Sequence, residues 1–199
     1  MPNLYILAGP NGAGKTTTAY TLLPEVLHVR EFVNADEIAR GLSPFNVEDV
    51  AFEAGRIMLN RIEQLMYQHV DFAIETTLST RSYVQMIQRA KRTGYQVTLI
   101  FIYLSSAELA VSRVAKRVSM GGHHIPTDVV HRRYERALMN LFSLYLPICD
   151  FFLIVNNSGE EPIEVAKGGI LASETIQNLV LWNSLKNKYG NGNKEGGHG

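Results

Sequence analysis

The sequence has few of the features that mark secreted, membrane-embedded or nucleic-acid-binding proteins. It contains a single cysteine, Cys149, so no disulfide can form within the chain. Lysine plus arginine number 19, as do aspartate plus glutamate, so there is no basic excess for nucleic acid or an acidic membrane. No run reaches about 18 apolar residues, and the first residues lack the basic region of a signal peptide. We therefore expect a cytoplasmic protein without nucleic-acid or membrane partners.

What the sequence does contain is a regular alternation of short apolar runs and longer segments of helical periodicity. Hydrophobic residues make up 46% of the 199 residues and charged residues 19%, which is a globular composition. Alternating strands and helices predict an α/β protein with a three-layer, doubly wound and mainly parallel sheet. We expect one domain over residues 1–189 and a disordered glycine-rich tail over 190–199. Five strands are predicted, at 4–8, 31–34, 71–75, 96–104 and 150–155, with helices at 14–22, 47–68, 81–93, 106–118, 127–145 and 173–188.

The first predicted strand leads directly into a glycine-rich phosphate-binding motif. Residues 9–16 match G-x-x-x-x-G-K-[ST] at every fixed position, and a helix is predicted to follow. Glycines let the backbone N–H groups approach phosphate oxygens, and the helix N-terminus adds partial positive charge. Lys15 is expected to bridge the β- and γ-phosphates of ATP, and the Thr16 hydroxyl to bind Mg²⁺. The predicted ATP-binding residues are Gly9, Pro10, Asn11, Gly12, Ala13, Gly14, Lys15, Thr16 and Thr17.

A phosphate loop alone does not distinguish a kinase from a transporter ATPase or a switch. The residues of the loop resemble those of ABC-type ATPases, but the sequence has neither a signature like Leu-Ser-Gly-Gly-Gln nor a typical ABC Walker B motif ending in Asp-Glu. The Asn-Lys-x-Asp motif that reads guanine in switch GTPases is absent too. The sequence therefore favours a kinase.

Two acidic residues follow predicted strands, at the edge where an open parallel sheet binds its ligands. Asp36 comes after the second strand and Glu75 ends the third. Asp36 can accept the proton of a phosphoryl acceptor or cap the helix that follows, and the sequence leaves both interpretations open. Glu75 is expected to position acceptor hydroxyls or to hold a water of the Mg²⁺ shell, rather than to cap a helix. Thr76, Thr77 and Ser79 are hydroxyl donors or turn formers.

Two arginine-bearing helices are predicted on either side of a Gly-Gly-His-His-Ile-Pro turn at residues 121–126. Guanidinium groups that close over a triphosphate neutralise the charge of the transferred phosphoryl group and exclude water. We therefore expect a helical lid at about residues 112–136, the alternative being a solvated basic face. The two histidines of the turn are expected to serve as turn or substrate contacts. The arginines concerned are Arg113 and Arg117 before the turn, and Arg132, Arg133 and Arg136 after it.

These motifs occur in an order that resembles the zeta-toxin family of P-loop kinases, and most closely its branch often labelled as predicted ABC-type ATPases. The resemblance covers about residues 3–158. Besides the phosphate loop it rests on Asn34-Ala-Asp36, Glu75-Thr-Thr-Leu, Arg117 followed by Gly-Gly-His-x-Ile-Pro, and Arg133-Tyr-x-Arg136.

The resemblance implies ATP- and Mg²⁺-dependent phosphorylation of a small molecule, such as the UDP-N-acetylglucosamine used by the better-known toxins, and an antitoxin protein as partner. It implies that Asp36 is the catalytic base and that Arg117 and Arg133 (or its neighbour Arg132) bind phosphate. Glu75 would contact substrate. Where the toxins have a glycine after that glutamate this chain has Thr76 and Thr77, and the basic residue that follows is Arg81; we expect these three to contact substrate as well. The alternatives are a metabolite kinase of the adenylate or gluconate kinase type and a nucleotide-dependent regulatory ATPase.

Overall fold

The computed structural model describes residues 1–122 and 124–190. His123 and residues 191–199 lie outside the described residues, so the predicted disorder of the tail falls outside them, except at Gly190.

A mixed sheet of seven strands forms the centre of the described chain, in the order β2-β3-β1-β4-β5-β6-β7. The first five strands are parallel, as the alternation of strands and helices predicts. The last two extend the sheet antiparallel to β5. The strands are β1 Asn3–Ala8, β2 Glu31–Val33, β3 Phe72–Thr76, β4 Gln96–Tyr103, β5 Phe151–Asn156, β6 Ile163–Gly169 and β7 Ala172–Ile176.

In the described part of the chain, seven α-helices connect the strands and cover the sheet. Up to residue 140 they lie at the predicted positions, except α2, which was considered only as a helix that Asp36 could cap. Short π-helical turns extend α1 over Leu22–Val26 and α6 over Leu141–Tyr145, and a 3₁₀ turn follows at Leu146–Ile148. The helices are α1 Lys15–Thr21, α2 Ala35–Leu42, α3 Ala51–Gln68, α4 Tyr83–Arg92, α5 Ala107–Ser119, α6 Thr127–Asn140 and α7 Leu179–Tyr189.

The prediction of five strands was wrong at the end of the chain, where the structure has two more. The predicted helix 173–188 begins only at Leu179, because Asn178 caps it by accepting a hydrogen bond from Leu181 N. Strand β7 is largely exposed, so it carries no apolar pattern that would have signalled a strand. It is a strand because its backbone pairs with β6, a contact that no local pattern records.

The core lies on both faces of the sheet, and the central strands β1, β3 and β4 are almost fully buried. A large cluster packs on one face against α3 to α7, and a smaller one of Leu7, Ala19, Leu23, Val29 and Ala73 packs on the other. Burial on both faces explains why these strands are continuously apolar. Among residues 1–122 and 124–190, no helix is long and apolar enough to span a membrane.

The buried carboxylate of Asp150 connects α4 and β4 to the start of β5. Asp150 is buried and accepts a hydrogen bond from Val97 N at 2.9 Å, and its other carboxylate oxygen lies 2.8 Å from Lys91 Nζ. Lys91 Nζ also donates to Ile148 O at 2.9 Å. Since a buried carboxylate is costly without partners, these contacts specify how β4 and β5 align.

We expect Asp150→Ala to destabilise the protein by about 2–4 kcal/mol, because the Val97 amide and the Lys91 ammonium both lose their partner. Urea unfolding followed by circular dichroism measures the change. Asp128→Ala is the matched control, since Asp128 pairs with Arg132 at 3.8 Å on the surface, with a 76% exposed side chain. The control should change stability by less than about 1 kcal/mol. Equal losses in both variants would contradict the structural role of Asp150.

Candidate active site

The phosphate loop connects β1 to the N-terminus of α1, at the carboxyl edge of the sheet. Lys15, the first residue of α1, is buried, and its ammonium donates to Pro10 O at 3.1 Å across the loop. Asn157, which follows β5, donates from Nδ2 to Ala13 O at 2.8 Å and so attaches the loop to the neighbouring part of the sheet. Contacts within the protein therefore hold the loop in position.

Two glycines of the loop have no room for a side chain. Gly9 has φ +145°, and a Cβ there would lie 2.3 Å from Ile102 O in β4. Gly12 has φ +76°, and a Cβ there would lie 2.9 Å from Ala110 O in α5. The loop therefore packs directly on β4 and on α5, and these contacts set its distance from the arginines of α5.

Gly12→Ala should weaken nucleotide binding about tenfold or more, because a left-handed alanine that also meets a backbone oxygen costs about 1–3 kcal/mol or displaces the loop. Titration with a fluorescent ATP analogue measures the affinity. Gly55→Ala is the control, because Gly55 lies in α3 and a Cβ added there would meet no atom within 4 Å. That substitution should leave affinity unchanged and raise stability slightly. Unaltered nucleotide affinity in Gly12→Ala would contradict the close packing of the loop.

Glu75 is the centre of a hydrogen-bonded cluster at the end of β3. Its Oε2 accepts from Thr16 Oγ1 and from Asn34 Nδ2, both at 2.8 Å. Its Oε1 lies 3.7 Å from Lys15 Nζ, and both side chains are 8% exposed. The parallel pairing of the strands explains why these side chains lie together. Glu75 is in register with Leu7 of β1, and Ile74, one residue earlier in β3, is in register with Val33, the last residue of β2. The cluster joins three strand ends and the phosphate loop.

Burial dominates the electrostatics of this cluster. It raises the pKa of the Glu75 carboxyl, and the positive charge of Lys15 and the hydrogen bond from Thr16 act in the opposite direction. Burial also lowers the pKa of the Lys15 ammonium, against the attraction of Glu75 and Asp36. Both charged groups are shielded from water. Phosphate oxygens or a cation therefore interact with them more strongly here than they would at the surface.

Asp36 lies in the first turn of α2 and its side chain is exposed. The helix cap is Asn34, whose Oδ1 accepts from Asp36 N at 2.8 Å and from Glu37 N at 3.4 Å. The capping interpretation of Asp36 was therefore wrong, because the residue two positions earlier fills that role. The cap holds Asp36 beside Lys15 and Glu75, with which it lines the same cavities.

Two cavities meet at Asp36. The first, here called the P-loop cavity, has a volume of about 210 Å³ and is lined by the phosphate loop, Glu75, Arg113 and Arg117. The second, called the hydroxyl-lined cavity, has a volume of about 290 Å³ and contains Arg133. Lys15, Asp36 and Glu75 line both, so a group bound in one cavity can reach a group bound in the other. Asn11, Thr76, Thr77, Ser79, Thr80, Ser82 and Tyr83 are among the other residues of the hydroxyl-lined cavity.

The structure separates the arginines that the sequence grouped together. Arg117 and Arg113 line the P-loop cavity, and Arg133 lines the hydroxyl-lined cavity. Arg132 instead pairs with Asp128 on the surface, 3.8 Å away. Of the two candidates in that segment, Arg133 is thus the one at the site.

The predicted lid helices are attached to the core in this structure. Helix α5 buries Ala107, Ala110 and Val114, and α6 buries Val130, Tyr134, Ala137 and Leu138. Tyr134 Oη donates to Leu104 O at 2.8 Å, directly beyond β4. Closure of a lid stays a prediction.

Thr76 and Thr77 lie at the hydroxyl-lined cavity, and both also form turns. Thr76 Oγ1 accepts from Leu78 N at 3.1 Å, and the hydroxyls of Thr77 and Ser79 are 2.9 Å apart. Arg81 is exposed and does not line either of the two cavities. A substrate contact by Arg81 therefore stays a prediction.

Two residues that sequence reasoning missed hold this loop in place from the end of α6. Asn140, buried, donates to Leu78 O at 2.7 Å, and Tyr145 Oη donates to Thr80 O at 2.6 Å. Leu78 itself is fully buried with φ +56°, an unfavourable conformation for a leucine. The loop is thus held by contacts some sixty residues away in sequence, which no local signal could have revealed.

The fold and the site together define a P-loop phosphotransferase of the kinase type. The family model described as Zeta toxin matches residues 1–160, and the chain belongs to that family. An uncharacterized protein of Haemophilus influenzae is 34% identical over 126 residues, which are 63% of this chain and 88% of that protein.

Solved structures show the same fold at low sequence identity. The AvrRxo1-ORF1:-ORF2 complex crystallised with ATP superposes with a TM-score of 0.74 at 21% identity, covering 93% of this chain and 63% of that one. This chain therefore spans less than two thirds of that relative's length. The PezAT toxin–antitoxin system of Streptococcus pneumoniae gives a TM-score of 0.59 at 20% identity, covering 81% of this chain and 72% of that one.

Proposed function

We propose that the protein transfers the γ-phosphoryl group of ATP to a hydroxyl of a small molecule. The observation that carries this proposal is the position of Asp36, an exposed carboxylate at the junction of the P-loop cavity and the hydroxyl-lined cavity. A carboxylate beside both a phosphate site and an acceptor site is what hydroxyl phosphorylation requires. The AvrRxo1-ORF1:-ORF2 complex crystallised with ATP supports ATP as the donor.

In this proposal each side chain has a role that follows from its place. The amides of residues 9–16 and the Lys15 ammonium bind the phosphates of ATP, which supplies the phosphoryl group. Arg117 in the P-loop cavity and Arg133 in the hydroxyl-lined cavity stabilise charge on the transferred group from two sides. Asp36 orients the acceptor hydroxyl and takes its proton. Thr76 and Thr77 contact the acceptor.

Thr16 and Glu75 provide a donor set suited to Mg²⁺. Both offer oxygen atoms, 2.8 Å apart, next to the place where phosphates bind. Among residues 1–122 and 124–190 there is no group of three or more His, Cys, Asp or Glu side chains that forms a metal cage. This fits Mg²⁺, which keeps several waters and uses one or two protein ligands together with phosphate oxygens. In this assignment the Thr16 hydroxyl would bind the ion, and Glu75 would orient Thr16 and a water bound to the ion. The ion would offset the negative charge of the phosphates.

Glu75→Gln should abolish most of the gain in ATP affinity that Mg²⁺ provides, because the carboxylate that favours the cation is gone. Affinity without metal should stay the same or rise, since a negative charge near the phosphates is removed. Titration of a fluorescent ATP analogue with and without Mg²⁺ measures both. Glu37→Gln is the control, because Glu37 lies nearby in the first turn of α2. This variant should keep the gain in ATP affinity that Mg²⁺ provides. A Glu75→Gln protein that still responds fully to Mg²⁺ would remove Glu75 from the metal site.

The kinase proposal is tested by ATP consumption and phosphoryl transfer with a panel of UDP-sugars, including UDP-N-acetylglucosamine, nucleosides and free sugars. Asp36→Asn should lower transfer by about 10²–10⁴-fold while ATP affinity stays close to that of the parent protein. Lys15→Ala should lose turnover altogether, because the cation at the β- and γ-phosphates is missing. Near-normal transfer by Asp36→Asn would exclude its role as proton acceptor.

Two alternatives give different results in the same assay. A metabolite kinase of the adenylate or gluconate kinase type would be stimulated by a nucleotide or a free sugar rather than by UDP-sugars. A regulatory ATPase would hydrolyse ATP slowly and without response to any acceptor. The PezAT system, described as a toxin–antitoxin system, supports an antitoxin protein as a partner here too.

A further inference from the structure

A third cavity adjoins the hydroxyl-lined cavity and extends the site in a direction that phosphate chemistry does not need. Its volume is about 340 Å³, and it lies between α2, the start of α3 and the segment that leads into α6. It shares Ala35, Asp36 and Arg133 with the hydroxyl-lined cavity. A molecule with its reacting hydroxyl at Asp36 therefore has space on two sides.

The walls of this cavity, here called the apolar cavity, are mostly nonpolar. They include Ala39, Val47, Ala51, Ile125, Pro126 and Val129. Alanines at positions 39 and 51 keep the cavity open, because they leave space that longer side chains on the same helices would fill. The hydroxyl-lined cavity, by contrast, presents threonine, serine and tyrosine hydroxyls. The cavities on the two sides of Asp36 thus differ in the kind of chemical group that they can bind.

Charged side chains line the two cavities as well, and the proposed function already assigns most of them a role. Among the described residues that line them, the lysines and arginines are Lys15 and Arg133, and Lys15 belongs to the phosphate loop. The carboxylates are Asp36, Glu48 and Glu75. In the proposed function Lys15, Asp36, Glu75 and Arg133 all serve the phosphoryl transfer, so the hydroxyl-bearing and apolar side chains are left to contact the rest of the acceptor.

We propose that the acceptor is an amphiphilic alcohol, with its polar part in the hydroxyl-lined cavity and an apolar group in the apolar cavity. This inference rests on the proposed kinase function and specifies its substrate class. The acceptor oxygen forms the new bond to the γ-phosphorus of ATP as the bond to the leaving ADP breaks. The hydroxyl proton passes to Asp36 and then to water.

Binding of alkyl glucosides tests the inference, because they join a polyhydroxylated head to an apolar chain of chosen length. Methyl and hexyl β-D-glucoside are titrated calorimetrically into the protein with a non-hydrolysable ATP analogue bound. The hexyl compound should bind more tightly, by up to about fourfold for each methylene that enters the apolar cavity. The methyl compound reports on the head group alone.

Ala51→Leu should remove the preference for the hexyl compound and leave methyl glucoside binding unchanged. Ala51 is exposed at the start of α3, so a longer side chain can fill the cavity without overpacking the core. Ala115→Leu is the matched control, since Ala115 is exposed on α5 and lines none of the three cavities. It should retain the hexyl preference.

Two outcomes would overturn the inference: no preference for the hexyl compound in the parent protein, including no binding of either glucoside, or a preference that persists in Ala51→Leu. Transfer from labelled ATP is measured in parallel. If the protein phosphorylates polar acceptors but does not bind the hexyl compound more tightly, the amphiphilic substrate is wrong while the kinase function stands. Hexyl binding that Ala51→Leu abolishes, combined with no transfer to any acceptor, counts against the kinase function instead.

Discussion

The site depends on the contact between the Glu75 carboxylate and the phosphate loop. Thr16 and Asn34 both donate to the same carboxylate oxygen at 2.8 Å, and Lys15 lies 3.7 Å from the other. Through this one side chain the ends of β1, β2 and β3 are tied together. Because the group is buried, it is also where a cation or phosphate oxygens change the local electrostatics most. In the function that we propose, nucleotide binding, metal binding and the position of Asp36 therefore all depend on the same few atoms.

Asn34 connects that contact to the catalytic carboxylate we propose. Its Nδ2 donates to Glu75, and its Oδ1 accepts from the first turn of α2, which carries Asp36. A capping residue thus also acts as a support for the site. On the opposite side lies the loop of residues 77–82 between β3 and α4, here called the acceptor loop, which is held by Asn140 and Tyr145 at the end of α6. Helix α6 also carries Arg133, so the arginine and the contacts that hold the loop come from the same part of the chain.

The three cavities around Asp36 give the proposed substrate class its physical basis. One is bordered by the phosphate loop and two arginines, one by hydroxyl groups, and one by small apolar side chains. The P-loop cavity agrees with the phosphotransferase class of the family to which the chain belongs. In our proposal the hydroxyl-lined cavity and the apolar cavity bind the acceptor. They lie on different sides of the reacting hydroxyl, and one is polar while the other is apolar. Specificity would then be a property of α2, α3 and the acceptor loop.

By itself the sequence determined the phosphate loop, the five parallel strands and the two acids at their ends. These signals are local: the loop is eight consecutive residues, and buried parallel strands are continuous apolar runs. The tertiary structure decided that Asn34 rather than Asp36 caps α2, that Arg133 rather than Arg132 faces the site, and that β6 and β7 extend the sheet. It also decided where the cavities lie. Each of these depends on contacts between residues distant in sequence, or on which way a side chain turns, and neither is written in a local pattern.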